Sequence, residues 1–166
     1  MDEVTLPAGA RVLVVTASNR AAAGVYADRS GQLLAAGLAE LGFEVEGPKV
    51  RPDDVDELEA VLDAAVDAGL DVVVTTGGTG LSPTDVTPEA TRRVLEREAP
   101  GIAEALRRYG AEHGVPTAVL SRGLAGTAGR TFIVNLPGST GGVRDGLAVL
   151  GPLLPHLVAQ LRGGDH

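Results

Sequence analysis

The chain of 166 residues lacks cysteine, and this absence excludes disulfide bonds, thiolate zinc sites and a cysteine nucleophile. Its three histidines, His113, His156 and His166, are scattered over the last third of the chain, so we expect neither a histidine-rich metal site nor a Ser-His-Asp triad. Basic and aromatic residues are also scarce: the formal net charge is −8, and the aromatics are two tyrosines and two phenylalanines. Nucleic acid is not an expected partner, because its binding requires a basic surface and, for single strands, aromatic platforms.

Long hydrophobic runs are missing as well. No stretch of 18 apolar residues occurs, so we expect no membrane-spanning helix. The chain starts with acidic residues and short apolar runs, which is not the pattern of a secretory signal peptide. We therefore expect a cytoplasmic location. The length fits one domain over residues 1–166, and we expect a core at about residues 10–162 with short flexible ends.

Three short apolar runs indicate the strands of a sheet. Residues 12–15, 72–74 and 132–134 are continuous and rich in β-branched side chains, a pattern typical of strands buried on both faces. The alternating segment 43–46 is typical of a strand nearer the sheet edge. Amphipathic segments lie between these runs, so the order of elements predicts an α/β domain with a parallel or mixed sheet.

Capping and breaking residues predict where the helices begin and end. A leucine stripe predicts a helix that is capped by Asp28 or Ser30 and stops at Gly42. The remaining expectations are an apolar stripe over 55–66 closed by Gly69, a helix from Thr87 to near Pro100, a helix over 102–113, and a segment 147–161 interrupted by Pro152 and Pro155. The glycine-rich stretch 123–129 is expected to be a hairpin loop or a mobile connection.

A glycine-rich loop after the second apolar run is the clearest candidate for a binding site. The segment Thr76-Gly77-Gly78-Thr79-Gly80 contains three glycines, which permit positive φ angles, so successive backbone N–H groups can form a nest for an anion. It matches neither the P-loop nor the G-x-G-x-x-G pattern. Asp85 follows five residues later, and it is either a site carboxylate or an ordinary turn or capping residue.

Polar residues also follow the other two buried strands, at the strand ends where open α/β sheets bind ligands. Thr16 and Ser18 follow the first strand, and Pro137-Gly138-Ser139 follows the third. Ser82 and Ser121-Arg122 add hydroxyls and a guanidinium that can pair with phosphate, although each of these residues can also be an ordinary loop, turn or surface residue. Such loops, combined with carboxylates but no protein nucleophile, suggest phosphate or nucleotide chemistry in which carboxylates hold Mg²⁺.

The motifs around the glycine-rich loop also resemble a known family. Thr75-Thr76-Gly77-Gly78-Thr79-Gly80, followed by Asp85-Val86-Thr87-Pro88-Glu89-Ala90, closely resembles the signature of the Mog/MoaB-type molybdenum cofactor biosynthesis proteins. Supporting matches occur in the family's order over residues 10–160. They are Ser18-Asn19-Arg20, Gly24-Val25-Tyr26 with Asp28, Pro52-Asp53, Pro116-Thr117-Ala118, Leu120-Ser121-Arg122 and Asn135-Leu136-Pro137-Gly138.

The resemblance implies a three-layer α/β/α sandwich with a mostly parallel, mixed sheet, usually assembled as a homotrimer. Active members of the family are molybdopterin adenylyltransferases, which use MgATP to transfer AMP to the terminal phosphate of molybdopterin and release pyrophosphate. The product would then pass to a molybdate-insertion enzyme. By this resemblance Asp53 and Asp85 are the catalytic residues and Mg²⁺ ligands, and no structural metal is expected. The expected substrate- and phosphate-binding residues are Thr16, Ser18, Thr76, Gly77, Gly78, Thr79, Gly80, Ser82, Ser121, Arg122, Pro137, Gly138 and Ser139.

Two positions depart from the family pattern. Asn19 stands where the family often has an acid, and because an amide keeps an oxygen acceptor but loses the charge, we assign it no metal. Ser139-Thr140 replaces the end of a Leu-Pro-Gly-x-Pro motif, so that loop is less restrained. The alternative to an enzyme is a non-catalytic molybdopterin-binding or assembly paralogue of the same family. A generic nucleotide-binding α/β protein is the third interpretation.

Overall fold

A six-stranded mixed sheet forms the centre of the molecule in the computed structural model, which describes residues 3–164. The strands are β1 Arg11–Ala17, β2 Glu44–Arg51, β3 Val72–Thr76, β4 Arg97–Glu98, β5 Ala125–Ala128 and β6 Thr131–Leu136. Their spatial order is β2-β1-β3-β6-β5-β4. The first four in this order are parallel, whereas β5 runs antiparallel to both β6 and β4. The predicted mostly parallel sheet is confirmed, with the alternating segment on the edge strand β2.

Helices cover both faces of the sheet and make the molecule a three-layer sandwich. They are α1 Asn19–Ala22, α2 Arg29–Glu40, α3 Val55–Asp67, α4 Thr87–Val94, α5 Pro100–Glu112, α6 Thr140–Leu150 and α7 Leu154–Leu161, with a 3₁₀ helix at Pro116–Leu120. Alternate residues of β1 point to opposite sides. Val12 and Val14 join an apolar core with α2, α6 and α7, while Leu13 and Val15 join a second core with α3 and α4. No helix within residues 3–164 has the length and apolar character needed to span a membrane.

The helix boundaries follow the local signals in most places. Asp28, one of the two predicted caps, accepts a hydrogen bond from the Gly31 N–H at 3.0 Å and starts α2. Gly42 and Gly69 follow the ends of α2 and α3 with φ angles of +106° and +71°. The helical segment is interrupted between α6 and α7 at Pro152, as predicted, whereas Pro155 lies in the first turn of α7 and does not interrupt it. The predicted flexible ends include residues 1–2 and 165–166, which lie outside the described residues.

The prediction for α4 was wrong at its end. The helix stops at Val94 instead of near Pro100, because residues 97–98 form β4. The amide N–H groups of Glu96 and Ala99 on either side of β4 donate to carbonyls of β5 at 2.9 and 2.8 Å. The stretch 123–129 is therefore mainly the strand β5 and the start of a hairpin to β6. Gly126 allows the two backbones to approach, since a Cβ there would overlap the Arg97 carbonyl.

Candidate functional site

The candidate site lies at the carboxyl ends of the parallel strands β1, β3 and β6. These neighbours run in register, with Thr16 beside Thr76 and Thr76 beside Leu136, so the loops that follow them meet at one edge of the sheet. The Thr76 hydroxyl donates to the Pro137 carbonyl at 2.7 Å, and the Ser30 hydroxyl donates to the Gly138 carbonyl at 2.6 Å. The loops are therefore tied to one another without a ligand.

The glycine loop after β3, residues 77–86, has a fixed backbone and free donors. Gly77 and Gly78 have φ angles of +95° and +69°, which residues other than glycine rarely adopt. Thr87 at the start of α4 donates its hydroxyl to the Gly77 carbonyl and its N–H to the Gly78 carbonyl, at 2.9 and 3.1 Å. The N–H groups of Gly78, Thr79 and Gly80 have no acceptor within residues 3–164. Three unpaired donors next to a helix start can bind a phosphate group.

Two carboxylates stand beside this loop. Asp53 lies between β2 and α3, where its Oδ2 accepts a hydrogen bond from the Asn19 N–H at 3.3 Å. Its Oδ1 is buried and has no hydrogen-bond partner in the described part of the chain. Burial raises the pKa of Asp53, the bond from Asn19 lowers it, and the negative charge of Asp85 raises it again, leaving the net pKa above its usual value. The two carboxylates are therefore close enough to repel each other.

Asp85 is held by its own turn. Its Oδ2 accepts a hydrogen bond from the Ser82 N–H at 3.2 Å, and its N–H donates to the Ser82 carbonyl at 2.9 Å. Ser82 thus shapes the turn.

Two cavities open beside the glycine loop. The first has a volume of about 490 Å³ and lies between the loop, α5, the 3₁₀ helix and α6. The second has a volume of about 620 Å³ and lies between the loop, β1 and the segment that leads into α2. Both volumes are in the range of small-molecule sites. Gly78, Asp85 and Gly138 line both cavities, so ligands in the two would meet at these residues.

A sequence profile of the probable molybdopterin binding domain matches residues 13–156. The chain belongs to this family. Among curated relatives, the molybdopterin adenylyltransferase of Helicobacter pylori strain J99 is 39% identical over 156 residues, covering 90% of this chain and 86% of that protein. The molybdenum cofactor biosynthesis bifunctional protein of Chlorobaculum tepidum is 38% identical over 156 residues, covering 94% of this chain and 50% of that protein.

A solved structure supports the same assignment. The molybdopterin biosynthesis Mog protein from Mycobacterium ulcerans is 49% identical, with a TM-score of 0.87 over 92% of this chain and 99% of that one. The Mog/MoaB resemblance and the α/β fold that it implies are therefore confirmed. The chain spans about half the length of the bifunctional relatives that it matches.

Most of the residues predicted from the sequence line one of the two cavities of this molybdopterin-binding domain. Those lining the second cavity are Thr16, Ser18, Asp53, Thr76 and Gly77; those lining the first are Thr79, Gly80, Ser121, Pro137 and Ser139; and Gly78, Asp85 and Gly138 line both. Arg122, like Ser82, lines neither. The guanidinium of Arg122 instead binds loop carbonyls and Glu89.

Asn19 has a structural role that its departure from the family pattern did not reveal. Its Oδ1 accepts a hydrogen bond from the Asp53 N–H at 2.8 Å, while its own N–H donates to the Asp53 carboxylate. This reciprocal pair fixes the loop that carries Asp53. Tyr26 lies nearby, with its hydroxyl 3.0 Å from the Ser18 hydroxyl, and both side chains line the second cavity.

Sequence reasoning missed the wall of the first cavity that α5 and α6 provide. Ala103, Leu106 and Gly110 of α5 line it together with Arg107, which donates to the carbonyls of Ser121 and Gly123. Asp145 of α6 faces the same space. The spacing of Ala103 and Gly110, seven residues apart on one helix face, was a signal that this face approaches another element closely.

The site fits a divalent cation only if a substrate supplies part of the coordination. Mg²⁺ is typically held by one or two carboxylates together with substrate phosphates and water. Asp53 offers an unpartnered buried oxygen, and Asp85 lies beside it. No group of three or more potential metal-ligating His, Asp or Glu side chains occurs within residues 3–164.

Proposed function

We propose that this molybdopterin-binding domain is a molybdopterin adenylyltransferase, which transfers AMP from ATP to the terminal phosphate of molybdopterin and releases pyrophosphate. The observation that supports this most is the arrangement of Asp53, Asp85 and the unpaired N–H groups of residues 78–80 where two cavities meet. Two substrates, one in each cavity, would bring their phosphates together there. The named relative from Helicobacter pylori supports the same activity.

The reaction needs no nucleophile from the protein. An oxygen of the pterin phosphate attacks the α-phosphorus of ATP, a new P–O bond forms, and the bond from the α-phosphorus to the bridging oxygen breaks to release pyrophosphate. The N–H groups of Gly78, Thr79 and Gly80 would donate to phosphate oxygens and hold them in line. This assignment agrees with the lack of a Ser-His or Cys-His pair in the sequence.

Asp53 and Asp85 are the residues that would hold Mg²⁺. When bound with ATP, Mg²⁺ supplies positive charge that offsets the charge on the triphosphate. Two carboxylates without a cation would repel the same phosphates, so the pair makes chemical sense only in the presence of a cation. Asn19 keeps Asp53 in place through its two hydrogen bonds.

The assembly and the cellular setting belong to the same proposal. We expect a homotrimer in the cytoplasm that passes the adenylylated pterin to a molybdate-insertion enzyme. Val25, Leu81 and Val119 are 70%, 65% and 59% exposed, and we propose them as candidate contacts between subunits. Sedimentation velocity of the purified protein at two concentrations tests the trimer, and a monomer at both would contradict it.

The test of the activity is pyrophosphate release from ATP with molybdopterin and Mg²⁺. Wild-type protein should release pyrophosphate only when the pterin is present. Asp53→Asn and Asp85→Asn should each lower the rate about a hundredfold or more, because each removes a charge that would hold the cation. Asp54→Asn is the matched control, since Asp54 caps α3 through the Glu57 N–H and asparagine caps equally well.

The non-catalytic alternative predicts a different pattern. Wild-type protein would bind molybdopterin but release no pyrophosphate above the pterin-free control. Equal rates for Asp54→Asn and Asp85→Asn would also contradict the assigned role of Asp85.

A further inference from the structure

Arg122 joins the segment after the 3₁₀ helix to the glycine loop. Its Nε donates to the Gly80 carbonyl at 2.8 Å, and its Nη2 donates to the Asp85 carbonyl at 2.8 Å. Its backbone N–H donates to the Thr79 carbonyl, also at 2.8 Å. One residue therefore binds three carbonyls of the segment that ends in Asp85.

Glu89 holds the other side of this guanidinium. Its two carboxylate oxygens accept from Nη1 and Nη2 of Arg122 at 2.8 and 3.1 Å. These hydrogen bonds lower the pKa of Glu89, so the pair stays ionised through the neutral range. Glu89 belongs to the first turn of α4, which ties the guanidinium to the helix that begins where the loop ends.

The geometry suits arginine and no other residue. The planar guanidinium can bind two carbonyls on different edges while it forms a two-point contact with a carboxylate. A lysine ammonium would keep the charge, but it is a single point that cannot reach Gly80, Asp85 and Glu89 together in the same directions. Arg122 also lies outside the walls of both cavities, so its hydrogen bonds serve the loop and not a ligand.

We propose that Arg122 is a positioning residue that fixes the turn from Gly80 to Asp85 and thereby sets the place of the Asp85 carboxylate. The proposal rests on the proposed function, in which Asp85 would hold Mg²⁺ together with Asp53. It assigns Arg122 a different task from the direct phosphate contact expected from the sequence. Glu89 is the partner that fixes the direction of the guanidinium.

The first test compares Arg122→Ala and Arg122→Lys with a matched control, Arg93→Ala. Arg93 also forms ion pairs, with Asp56 and Glu59, but it lies on the exposed side of α4, and its side chain forms no hydrogen bond with the glycine loop in the described part of the chain. Arg122→Ala should lower kcat about ten- to a hundredfold and raise the Mg²⁺ concentration for half-maximal rate, with little change in the KM for the pterin. Arg122→Lys should recover only a small part of the rate, and Arg93→Ala should behave as wild type.

A double-mutant cycle separates positioning from direct contact. If Arg122 acts through Asp85, the variant with both Arg122→Ala and Asp85→Ala should be no slower than Asp85→Ala alone. If the rate losses of the two single variants instead multiply in the double variant, and Arg122→Ala mainly raises the KM for ATP, Arg122 contacts the nucleotide itself and the proposal is overturned.

Two readouts do not depend on turnover. Hydrogen exchange of the free protein should show faster exchange over residues 79–86 in Arg122→Ala than in wild type, and calorimetry should show weaker binding of ATP with Mn²⁺. Arg93→Ala should change neither. Unchanged exchange and unchanged Mn²⁺–ATP affinity in Arg122→Ala would overturn the proposal. If wild-type protein releases no pyrophosphate, the proposed function fails, while these two readouts still decide whether Arg122 fixes the loop.

Discussion

Replacing Gly78 by alanine tests whether the glycine loop has the backbone conformation and close contacts that the structure shows. Gly78 has a φ angle of +69°, where an alanine is strained by about 1–2 kcal/mol. The added Cβ would overlap the Thr87 hydroxyl and lie 3.1 Å from Oδ1 of Asp53. One methyl group therefore disturbs the backbone, the hydroxyl that fixes the loop and a candidate catalytic carboxylate.

The cost can be worked out from these contacts. If the Thr87 side chain rotates away, the Gly77 carbonyl loses a hydrogen bond of 2.9 Å in a buried position, which costs about 1–3 kcal/mol. Together with the backbone strain, Gly78→Ala should lower the free energy of unfolding by about 2–5 kcal/mol. A domain of this size has a stability of about 5–15 kcal/mol, so the variant should still fold.

The rate of pyrophosphate release should fall even where the variant is fully folded. Because the new Cβ presses on Asp53, we expect a loss of about a hundredfold in the rate of pyrophosphate release under conditions in which the variant is folded. Urea denaturation gives the stability, and circular dichroism at the assay temperature confirms the folded state. Gly101→Ala is the control, because a Cβ at Gly101 meets no atom of residues 3–164 within 4 Å. A Gly78→Ala variant with the stability and rate of Gly101→Ala would refute the described loop geometry.

Two further predictions concern the opposite edge of the sheet and the Asp53 loop. Burial raises the pKa of Asp71, but hydrogen bonds from Arg162 and the Arg11 N–H lower it more, so its net pKa is depressed. The stabilisation is therefore complete above the unfolded pKa of about 3.9 and is lost as the pH falls through the folded pKa. Arg162→Ala should lower the free energy of unfolding in urea by about 1 kcal/mol at pH 7, by nearly as much at pH 4 and by clearly less at pH 3, and a pH-independent difference would contradict this. Asn19→Asp adds a negative charge beside Asp53 and keeps an oxygen that can accept from the Asp53 N–H. The affinity for Mn²⁺ with ATP, measured by calorimetry, should therefore rise several-fold. An unchanged or weaker affinity would contradict a cation site at Asp53.

The centre of the sheet was predictable because strands that are buried on both faces have a recognisable sequence pattern. Val72, Val73 and Val74 are fully buried, and a short, continuous β-branched run is typical of a strand in that position. Asp28 was one of two candidate caps in the sequence, because the capping signal lies within three residues, and the structure selects it over Ser30. Local chemistry of this kind can be recognised without knowledge of the fold.

The errors arose where distant segments decide the structure. The end of α4 depends on pairing between β4 and β5, whose partners Arg97 and Thr127 are thirty residues apart. The strand β5 consists of small residues that show no hydrophobic pattern, and at Gly126 the backbone of Arg97 leaves no room for a Cβ.

The candidate site was predictable in its loops but not in its walls. Gly77, Gly78 and Asp85 stand out because glycines and an acid after a buried strand are unusual in combination. Asp145 and the residues of α5 do not stand out, because ordinary helix residues become a cavity wall only through packing. The reciprocal pair of Asn19 and Asp53, which are 34 residues apart, was likewise visible only in the structure.

Transfer of a labelled AMP group is the most direct test of the proposed function. Purified protein is incubated with molybdopterin, Mg²⁺ and ATP that carries a radioactive label at the α-phosphate, and in a parallel reaction at the γ-phosphate. An adenylyltransferase should move the α-label onto the pterin in amounts that match the pyrophosphate released, and it should leave the γ-label in pyrophosphate. Label on the pterin from the γ-position, or no labelled pterin from either substrate, would contradict adenylyl transfer.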